Sequence, residues 1–226
     1  MNTKFLLPLI VVIALVAGGA WWLSTNPSPT SAPLGGEQIA PENAAEVTDG
    51  TYTVIAAESE VQWAGKKPLI EGYINTGAIA VTEGTITRNG NDVSGTFTID
   101  MDTLSVSATP TKPGSENALE GHLKGERWFN VAMYPTATFV ITNVVPSTGV
   151  QTYTVTGDLT MKGQTHEVSF PATIYQDAEG RVHASAAFEI DRTLWGITSG
   201  SASFFDNLAD NAIDDMVALS FTLVAE

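Results

Sequence analysis

Three histidines, His122, His166 and His183, are the side chains in this sequence best suited to acid–base or metal chemistry. They lie 17 or more residues apart, without the close spacing of metal ligands, and the chain has no cysteine to complete a site. None has a recognisable base and orienting partner nearby in the sequence. We therefore expect no metal site, and an enzyme that uses His122 or His166 as acid and base ranks last among the possible functions.

Charged side chains near the C-terminus form a second candidate site. Four aspartates lie within ten residues, but they lack the alternation and central glycine of an EF-hand loop, so we expect a solvated loop there. They are Asp206, Asp210, Asp214 and Asp215. Arg192 has two interpretations: its guanidinium pairs with Asp191 or Asp100 inside the fold, or it binds the head group of a ligand.

The composition excludes several classes of function. Ten basic and 25 acidic residues give a net charge of −15, which would repel nucleic-acid phosphates, so we expect no nucleic-acid partner. The sequence contains no G-x-S-x-G elbow, phosphate-cradling glycine loop or dinucleotide fingerprint, so no cofactor is expected. No pattern specifies an oligomer.

Most of the chain after residue 50 alternates apolar and polar residues with a period of two, which is typical of β-strands. In Thr152–Met161 one parity is apolar, from Tyr153 to Met161, and the other is rich in threonine. Similar segments, separated by turn signals such as Asn89-Gly90 and Lys162-Gly163, predict about nine strands joined mostly by short turns. Because one apolar face must be covered and free edges removed, we predict an all-β, antiparallel up-and-down barrel of about eight strands.

One segment between strands has a helical pattern instead. Ser115 is a candidate N-cap, Leu119, His122 and Leu123 recur at a spacing of three to four, and Gly125 is a natural stop. We predict a short helix that packs against the barrel and places His122 on or near the packed face. By strand parity, His166 should point inward near the barrel rim, and His183 should point outward into solvent.

The N-terminus carries a separate signal. Residues 5–23 form an uncharged apolar run of 19 residues after Lys4. As a helix this run spans roughly 28 Å, close to the ~30 Å hydrocarbon core of a bilayer. It is a membrane anchor, favoured by the Trp21-Trp22 pair, or a signal peptide, favoured by the small residues 18–20. Either way the acidic bulk is exported, which predicts a periplasmic or other extracytoplasmic domain, anchored to the inner membrane or secreted if cleaved.

Composition divides the remaining chain into two parts. Residues 24–49 are rich in proline, serine and alanine without apolar periodicity, which indicates a linker. Residues 50–226 form the predicted barrel domain. The predicted organisation is therefore an anchor or signal at 1–23, a linker at 24–49 and one β-barrel domain.

Six motifs in order resemble those of the YceI-like family of exported bacterial proteins. They are Phe97–Met101, His122–Lys124, Trp128–Val131, Tyr134–Phe139, Gly157–His166 and Arg192–Ile197. The resemblance covers about residues 51–226. It implies a lipocalin-like barrel that binds an isoprenoid lipid or another long-chain amphiphile.

Inward parity and the resemblance together give a predicted set of ligand-binding residues. An eight-stranded barrel is wide enough either to fill with side chains or to hold one small ligand. The predicted residues are Trp63, Phe97, Ile99, His122, Phe139, Ile141, Tyr153, Val155, His166, Phe170, Phe188, Arg192, Trp195, Leu219 and Phe221.

Two functions follow from these expectations. The first is binding, sequestration or transport of a long apolar molecule in the cell envelope. Residues 50–226 carry 9 basic and 21 acidic residues, a net charge of −12, which favours a neutral head group over a phosphorylated one. The alternative is a structural or partner-binding envelope module with a filled core, whose contact surface would be the acidic segment 198–215.

Overall fold

The computed structural model describes residues 40–226, which contain nine antiparallel strands and one α-helix. The strands are β1 (Gly50–Thr53), β2 (Glu60–Lys66), β3 (Ile74–Asn89), β4 (Asp92–Ala108), β5 (Thr136–Pro146), β6 (Thr152–Met161), β7 (Gln164–Gln176), β8 (Val182–Asp191) and β9 (Met216–Ala225). The helix α1 is Glu116–Lys124, and short 3-10 turns cover Ala56–Glu58, Arg192–Trp195 and Ala209–Asn211.

The nine strands close into a barrel whose wall is eight strands around, because β1 and β2 share one place in it. Strands β3 to β9 pair in sequence order, and β2 pairs with both β3 and β9. β1 pairs with the second half of β3, and the residues that follow it bond to the end of β9, so β1 and β2 share one position in the wall. This confirms the predicted all-β, closed antiparallel barrel, in which closure removes free edges.

Residue parity sets which side chains enter the lumen. Along β6, Val155, Gly157, Leu159 and Met161 are buried while the residues between them are half-buried, as the alternation predicts. The β6–β7 turn is Lys162-Gly163, and both residues have positive φ angles, 51° and 73°. A two-residue turn of this kind matches the twist of the flanking strands, which keeps the register of the hairpin fixed.

Strands β7 and β8 pair over only four residues, Thr173–Gln176 with Val182–Ser185. Beyond these pairs the two strands diverge toward the end of the barrel that carries α1. The rings of Phe170 and Phe188 stack across this divergence, with centroids 4.2 Å apart and planes within 10°. Aromatic side chains therefore complete the wall where backbone pairing stops.

Helix α1 has the predicted bounds but not the predicted orientation of its histidine. Leu123 is buried and Leu119 packs against the core, whereas His122 is exposed, so the prediction that His122 lies on the packed face is wrong. A helical residue adjacent to Leu123 in sequence is rotated by about 100° from it, which carries the imidazole into solvent. Ser115 occupies the N-cap position as predicted, but its hydroxyl donates to the carbonyl of Lys112 and makes no capping hydrogen bond.

The chain packs on the barrel from before residue 50. Ala45 exchanges two backbone hydrogen bonds with Gln176, at 3.0 and 2.9 Å, and Val47 is buried. The predicted anchor or signal (residues 1–23) and residues 24–39 of the predicted linker lie outside the described residues. Within residues 40–226, no helix is long and apolar enough to cross a membrane.

Candidate ligand-binding cavity

The barrel lumen contains two apolar chambers. The far chamber, about 160 Å³, lies toward the β3–β4 hairpin, and the mouth chamber, about 150 Å³, lies toward α1. Val61, Leu159 and Leu219 line both chambers, so the two adjoin at a ring formed by these side chains. The lumen thus contains apolar space that its own side chains do not occupy.

Phenylalanine rings form the wall of the far chamber. Phe139 lies between Phe97 and Phe170, with centroid distances of 6.3 and 5.7 Å, and Phe170 also contacts Phe188 and Phe221. These five rings come from five strands, because inward positions on neighbouring strands meet at the same height of a barrel. They offer a ligand a nearly continuous apolar surface.

The mouth chamber combines an apolar wall with a polar opening. Its apolar side includes Leu119 of α1 and Trp128 from the segment after α1. At the opening, the Lys66 ammonium pairs with Asp214 at 3.3 Å, and Asn75 donates to the hydroxyl of Tyr73 at 3.1 Å. The Lys66 side chain is 42% exposed, so this chamber reaches solvent at its rim.

Arg192 lines the mouth chamber, but its hydrogen bonds go to the protein. Its guanidinium donates to the backbone carbonyls of Asp214, Ile213 and Ile197 and to the carboxylate of Asp215 at 3.4 Å. The predicted pairing with Asp191 or Asp100 is therefore replaced by pairing with Asp215.

Local geometry explains this choice of partner. Asp191 accepts hydrogen bonds from the backbone and hydroxyl of Thr193, which leaves its carboxylate at the start of the 3-10 turn. Burial lowers the pKa of Arg192, and the nearby Asp215, Asp191 and Asp214 carboxylates oppose that shift. Arg192 is therefore a buried side chain that supports the connection between β8 and β9.

Eleven of the fifteen predicted ligand-binding residues line the two chambers. They are Trp63, Phe97, Phe139, Ile141, Tyr153, Val155, Phe170, Phe188, Arg192, Leu219 and Phe221. Their contact with a ligand stays a prediction, but the fold brings them to one lumen. Inward strand parity is the signal that found most of them.

Four predicted ligand-binding residues do not line either chamber. Trp195 is fully buried and donates its indole N–H to the carbonyl of Leu159 at 3.0 Å. His166 packs its ring edgewise against Trp195 at 5.2 Å. Ile99 packs between two core clusters, and His122 is exposed. These residues support the wall or face solvent.

His183 is not the simple solvated residue that the parity predicts. Its Nε2 atom lies 2.8 Å from Asp177 Oδ2, and its ring stacks on Tyr175 at 5.0 Å. The hydrogen bond to His183, followed by bonds from Arg181, lowers the pKa of Asp177 to about 2. This cluster stabilises the β7–β8 turn, which lies at the end of the barrel opposite α1.

Several cavity residues are missing from the predicted set. The far chamber also uses aliphatic side chains of the early strands, and the mouth chamber uses residues of the helical segment. Examples are Val47, Val61, Val81, Ile86, Leu119 and Phe129. Val81 and Ile86 both line the far chamber although they differ in parity, because β3 has a register shift between them. Residues of the helical segment carry no strand parity, so only their packing identifies them.

An ion pair lies at the far end of the far chamber. Arg88 lines that chamber, donates to Glu46 and lies 3.9 Å from Asp49. The hydrogen bond to Glu46 raises the pKa of Arg88, while burial raises the pKa of the neighbouring Tyr153. The cation is therefore already neutralised by residues of the 44–49 segment.

The described residues 40–226 contain no group of three or more histidine, aspartate or glutamate side chains arranged to hold a metal ion. Two of the four clustered aspartates are used in ion pairs, Asp214 with Lys66 and Asp215 with Arg192. The acidic segment is thus partly neutralised by its own cations.

A family model described as "YceI-like domain" matches residues 52–225 of the chain. The chain belongs to the YceI-like domain family. The motif resemblance is thereby confirmed. Among curated relatives, UPF0312 proteins of Pseudomonas putida strains GB-1 and W619 are 33% and 32% identical over 133 residues. That alignment spans 56% of this chain and 66% of each relative's length.

Solved structures share this YceI-like fold. BcnA of Burkholderia cenocepacia superposes with a TM-score of 0.58 at 24% identity, over 76% of this chain and 99% of BcnA. A polyisoprenoid binding domain from Saccharophagus degradans superposes with a TM-score of 0.60 at 17% identity, over 77% of this chain and 97% of that domain. At these identities the likeness establishes the fold.

Proposed function

We propose that this YceI-like barrel binds a long-chain apolar molecule, an isoprenoid or a similar lipid, and sequesters or carries it in the cell envelope. The observation that carries the proposal is the pair of adjoining chambers, whose walls are almost entirely apolar. Burial of a chain there contributes about 0.8 kcal/mol per methylene, so a long tail binds without specific polar contacts. The likeness to a domain described as polyisoprenoid-binding agrees with this ligand class.

We assign the head group of the ligand to the mouth chamber and expect it to be neutral. The two cations that line the mouth chamber are already engaged, Lys66 with Asp214 and Arg192 with Asp215, and Lys67 lies over the Tyr73 ring at 5.1 Å. A pyrophosphate bound by Lys66 or Arg192 would have to displace the carboxylate that each already holds. An alcohol, amide or quinone needs only a hydrogen-bond partner such as the Tyr73 hydroxyl.

Retinol provides a direct test because it is a neutral isoprenoid alcohol whose fluorescence rises in an apolar site. We expect saturable retinol binding by the full-length protein in dilute detergent. Unlabelled geranylgeraniol should displace retinol at least tenfold more effectively than geranylgeranyl pyrophosphate, which has the same chain. Absence of saturable binding would refute the lipid-binding function, and equal or better displacement by the pyrophosphate would refute the neutral head group alone.

We propose further that residues 5–23 anchor the domain at the inner membrane and that the barrel lies on the extracytoplasmic side. The support is the uncharged 19-residue run with Lys4 before it and Trp21-Trp22 near its end. Mass spectrometry of the protein from the membrane fraction should show an intact N-terminal segment. A mature N-terminus near residue 21 would instead identify a cleaved signal peptide and a released domain.

A further inference from the structure

The loops around the mouth chamber expose an unusual share of apolar side chains. Among residues 40–226, nine large hydrophobic residues are exposed, and five of them lie in these loops. This apolar rim consists of Leu69, Met133, Leu194, Phe204 and Phe205, exposed by between 49% and 66%. Exposed apolar groups gathered on one surface mark interaction sites more often than scattered ones do.

Each rim residue belongs to a loop that also lines the mouth chamber. Leu69 lies between Lys66 and Tyr73, and Met133 follows Trp128 and Phe129. The connection that carries Leu194, Phe204 and Phe205 begins at Arg192 and ends at Asp214, which line the chamber as well.

Hydrogen bonds hold these loops to one another at the open end. Ser199 donates to the carbonyl of Arg127 at 2.8 Å, and the Asp214 amide donates to the carbonyl of Lys66 at 3.0 Å. The backbone amides of Phe204 and Phe205 both donate to the carbonyl of Ser201, which fixes the two aromatic residues in one turn. The loops that carry the rim residues are therefore joined at the open end, where they also line the mouth chamber.

The end of the barrel that carries the apolar rim is also much less acidic than the rest of the domain. Residues 66–73, 109–135, 162–163 and 192–215 form this end of the barrel and carry seven of the nine basic residues of the domain but only eight of its 21 acidic residues. Their formal charge is −1, whereas the remainder of residues 50–226 carries −11. An anionic surface would repel the rest of the barrel far more than this end.

We propose that the apolar rim inserts into the interface of a lipid bilayer, so that an apolar ligand passes between membrane and mouth chamber without crossing water. Aromatic and aliphatic side chains with nearby lysines are the groups that settle at a membrane interface. Because the loops that carry the rim also line the mouth chamber, this orientation places the mouth chamber against the lipid. The inference rests on the proposed lipid-binding function and adds the surface through which the ligand enters.

Local labelling tests the insertion without requiring a ligand. The chain has no cysteine, so Phe205→Cys and, as a matched control, Val150→Cys each introduce one thiol for an NBD fluorophore. Val150 is 80% exposed in the β5–β6 connection at the opposite end. Full-length protein is added to vesicles of phosphatidylethanolamine and phosphatidylglycerol at 3:1, with or without doxyl-labelled acyl chains.

We expect the label at position 205 to shift to shorter wavelength and to lose at least half of its intensity to the doxyl quencher, while the label at position 150 stays unchanged. The result that overturns the inference is a label at 205 that responds no more than the label at 150. A local readout is required because the apolar residues 5–23 can bind the full-length chain to vesicles by themselves.

Transfer kinetics separate this inference from the proposed function. A Phe204→Ser/Phe205→Ser variant should take up retinol from the same vesicles at least fivefold more slowly, with an unchanged equilibrium affinity in dilute detergent, which also reports correct folding. A Val145→Ser/Val150→Ser variant should match the wild-type rate. If the rim variant binds retinol and takes it up from vesicles at the wild-type rate, the inference alone is overturned. If the wild-type protein binds no retinol, the proposed function is refuted.

Discussion

Arg192 holds together the long connection between β8 and β9 at the open end of the barrel. Its side chain is buried, and its guanidinium satisfies three backbone carbonyls that lie 5 to 22 residues away in sequence. It also lies over the Trp128 ring at 5.4 Å. One side chain thus joins the 192–215 connection to the segment that follows α1.

Replacement of Arg192 by leucine should reduce the free energy of unfolding by about 3–5 kcal/mol, because it removes the cation paired with Asp215 and leaves three carbonyls without their donor. Urea denaturation followed by tryptophan fluorescence measures this loss. Arg127→Leu is the matched control, since the Arg127 side chain is exposed, and it should change stability by less than about 0.5 kcal/mol. Equal effects in the two variants would contradict the structural role of Arg192.

The Asp177 carboxylate should make stability depend on pH in the acid range. Its pKa is lowered from 3.8 to about 2 in the folded protein, first by the hydrogen bond to His183. The unfolded chain therefore takes up this proton at higher pH than the folded chain. The contribution is complete above about pH 4, falls as the pH drops and is lost below about pH 2.

Thermal melting between pH 5 and pH 2 tests this expectation. Asp177→Asn should melt at a lower temperature than the wild type at pH 5, and the difference should shrink as the pH approaches 2. Glu179→Gln, a change in the same exposed turn, controls for general charge effects. A wild-type-to-variant difference that stays constant with pH would show that the carboxylate contributes nothing through ionisation.

At the scale of elements, β5 and β6 approach closely because Gly157 faces Phe139. A Cβ at Gly157 would lie 2.5 Å from the carbonyl oxygen of Val140 and closer still to the Phe139 ring. The glycine leaves room for a ring that contacts both Phe97 and Phe170. Strand pairing and the shape of the far chamber are coupled at this point.

Gly157→Ala should destabilise the protein by about 1–3 kcal/mol, since either the Phe139 ring or the strand must move. It should also weaken retinol binding, because Phe139 lines the far chamber. Gly121→Ala is the control: a Cβ there meets no atom within 4 Å, and in a helix the change should stabilise by up to about 1 kcal/mol. Calorimetry measures the melting temperature of each variant. Equal changes in the two variants would contradict the packing argument.

Elements with strong local signals were predictable from sequence. The hairpin turns and the β6 alternation predict the observed β6–β7 hairpin, and helix α1 begins and ends as its pattern indicates. The strands β3 and β4 are much longer, with 16 and 17 residues. Register shifts in their pairing change the inward parity there, so the alternation weakens although the strands continue.

At the scale of the whole molecule, the ring of Val61, Leu159 and Leu219 lies at the boundary of the two chambers. A ligand longer than one chamber must pass through this ring, and its affinity should rise with chain length until both chambers are filled. The ring comes from β2, β6 and β9, which are distant in sequence. Closure of the barrel brings these three side chains to the same height.

Leu219→Trp should obstruct the passage between the chambers. We expect it to weaken binding of geranylgeraniol, a twenty-carbon chain, by at least tenfold and that of geraniol, a ten-carbon chain, by less than threefold. Displacement of retinol would not report on a blocked lumen, so intrinsic tryptophan fluorescence or calorimetry measures each alcohol directly. Val150→Trp, at an exposed position, is the control. A uniform loss for both alcohols would contradict a selective blockage.

The sequence by itself determined the fold class, the family resemblance and most of the apolar lining, because period-two patterning states which side of a strand is buried. It did not determine the partners of the charged and histidine side chains. Arg192 pairs with Asp215, His122 turns to solvent, and His183 bonds to Asp177. Such pairings depend on which loops meet at each end of the closed barrel. Separation along the sequence does not predict those contacts. The open lumen was likewise decided by tertiary packing, since residue types specify a wall but not the space that the wall leaves empty.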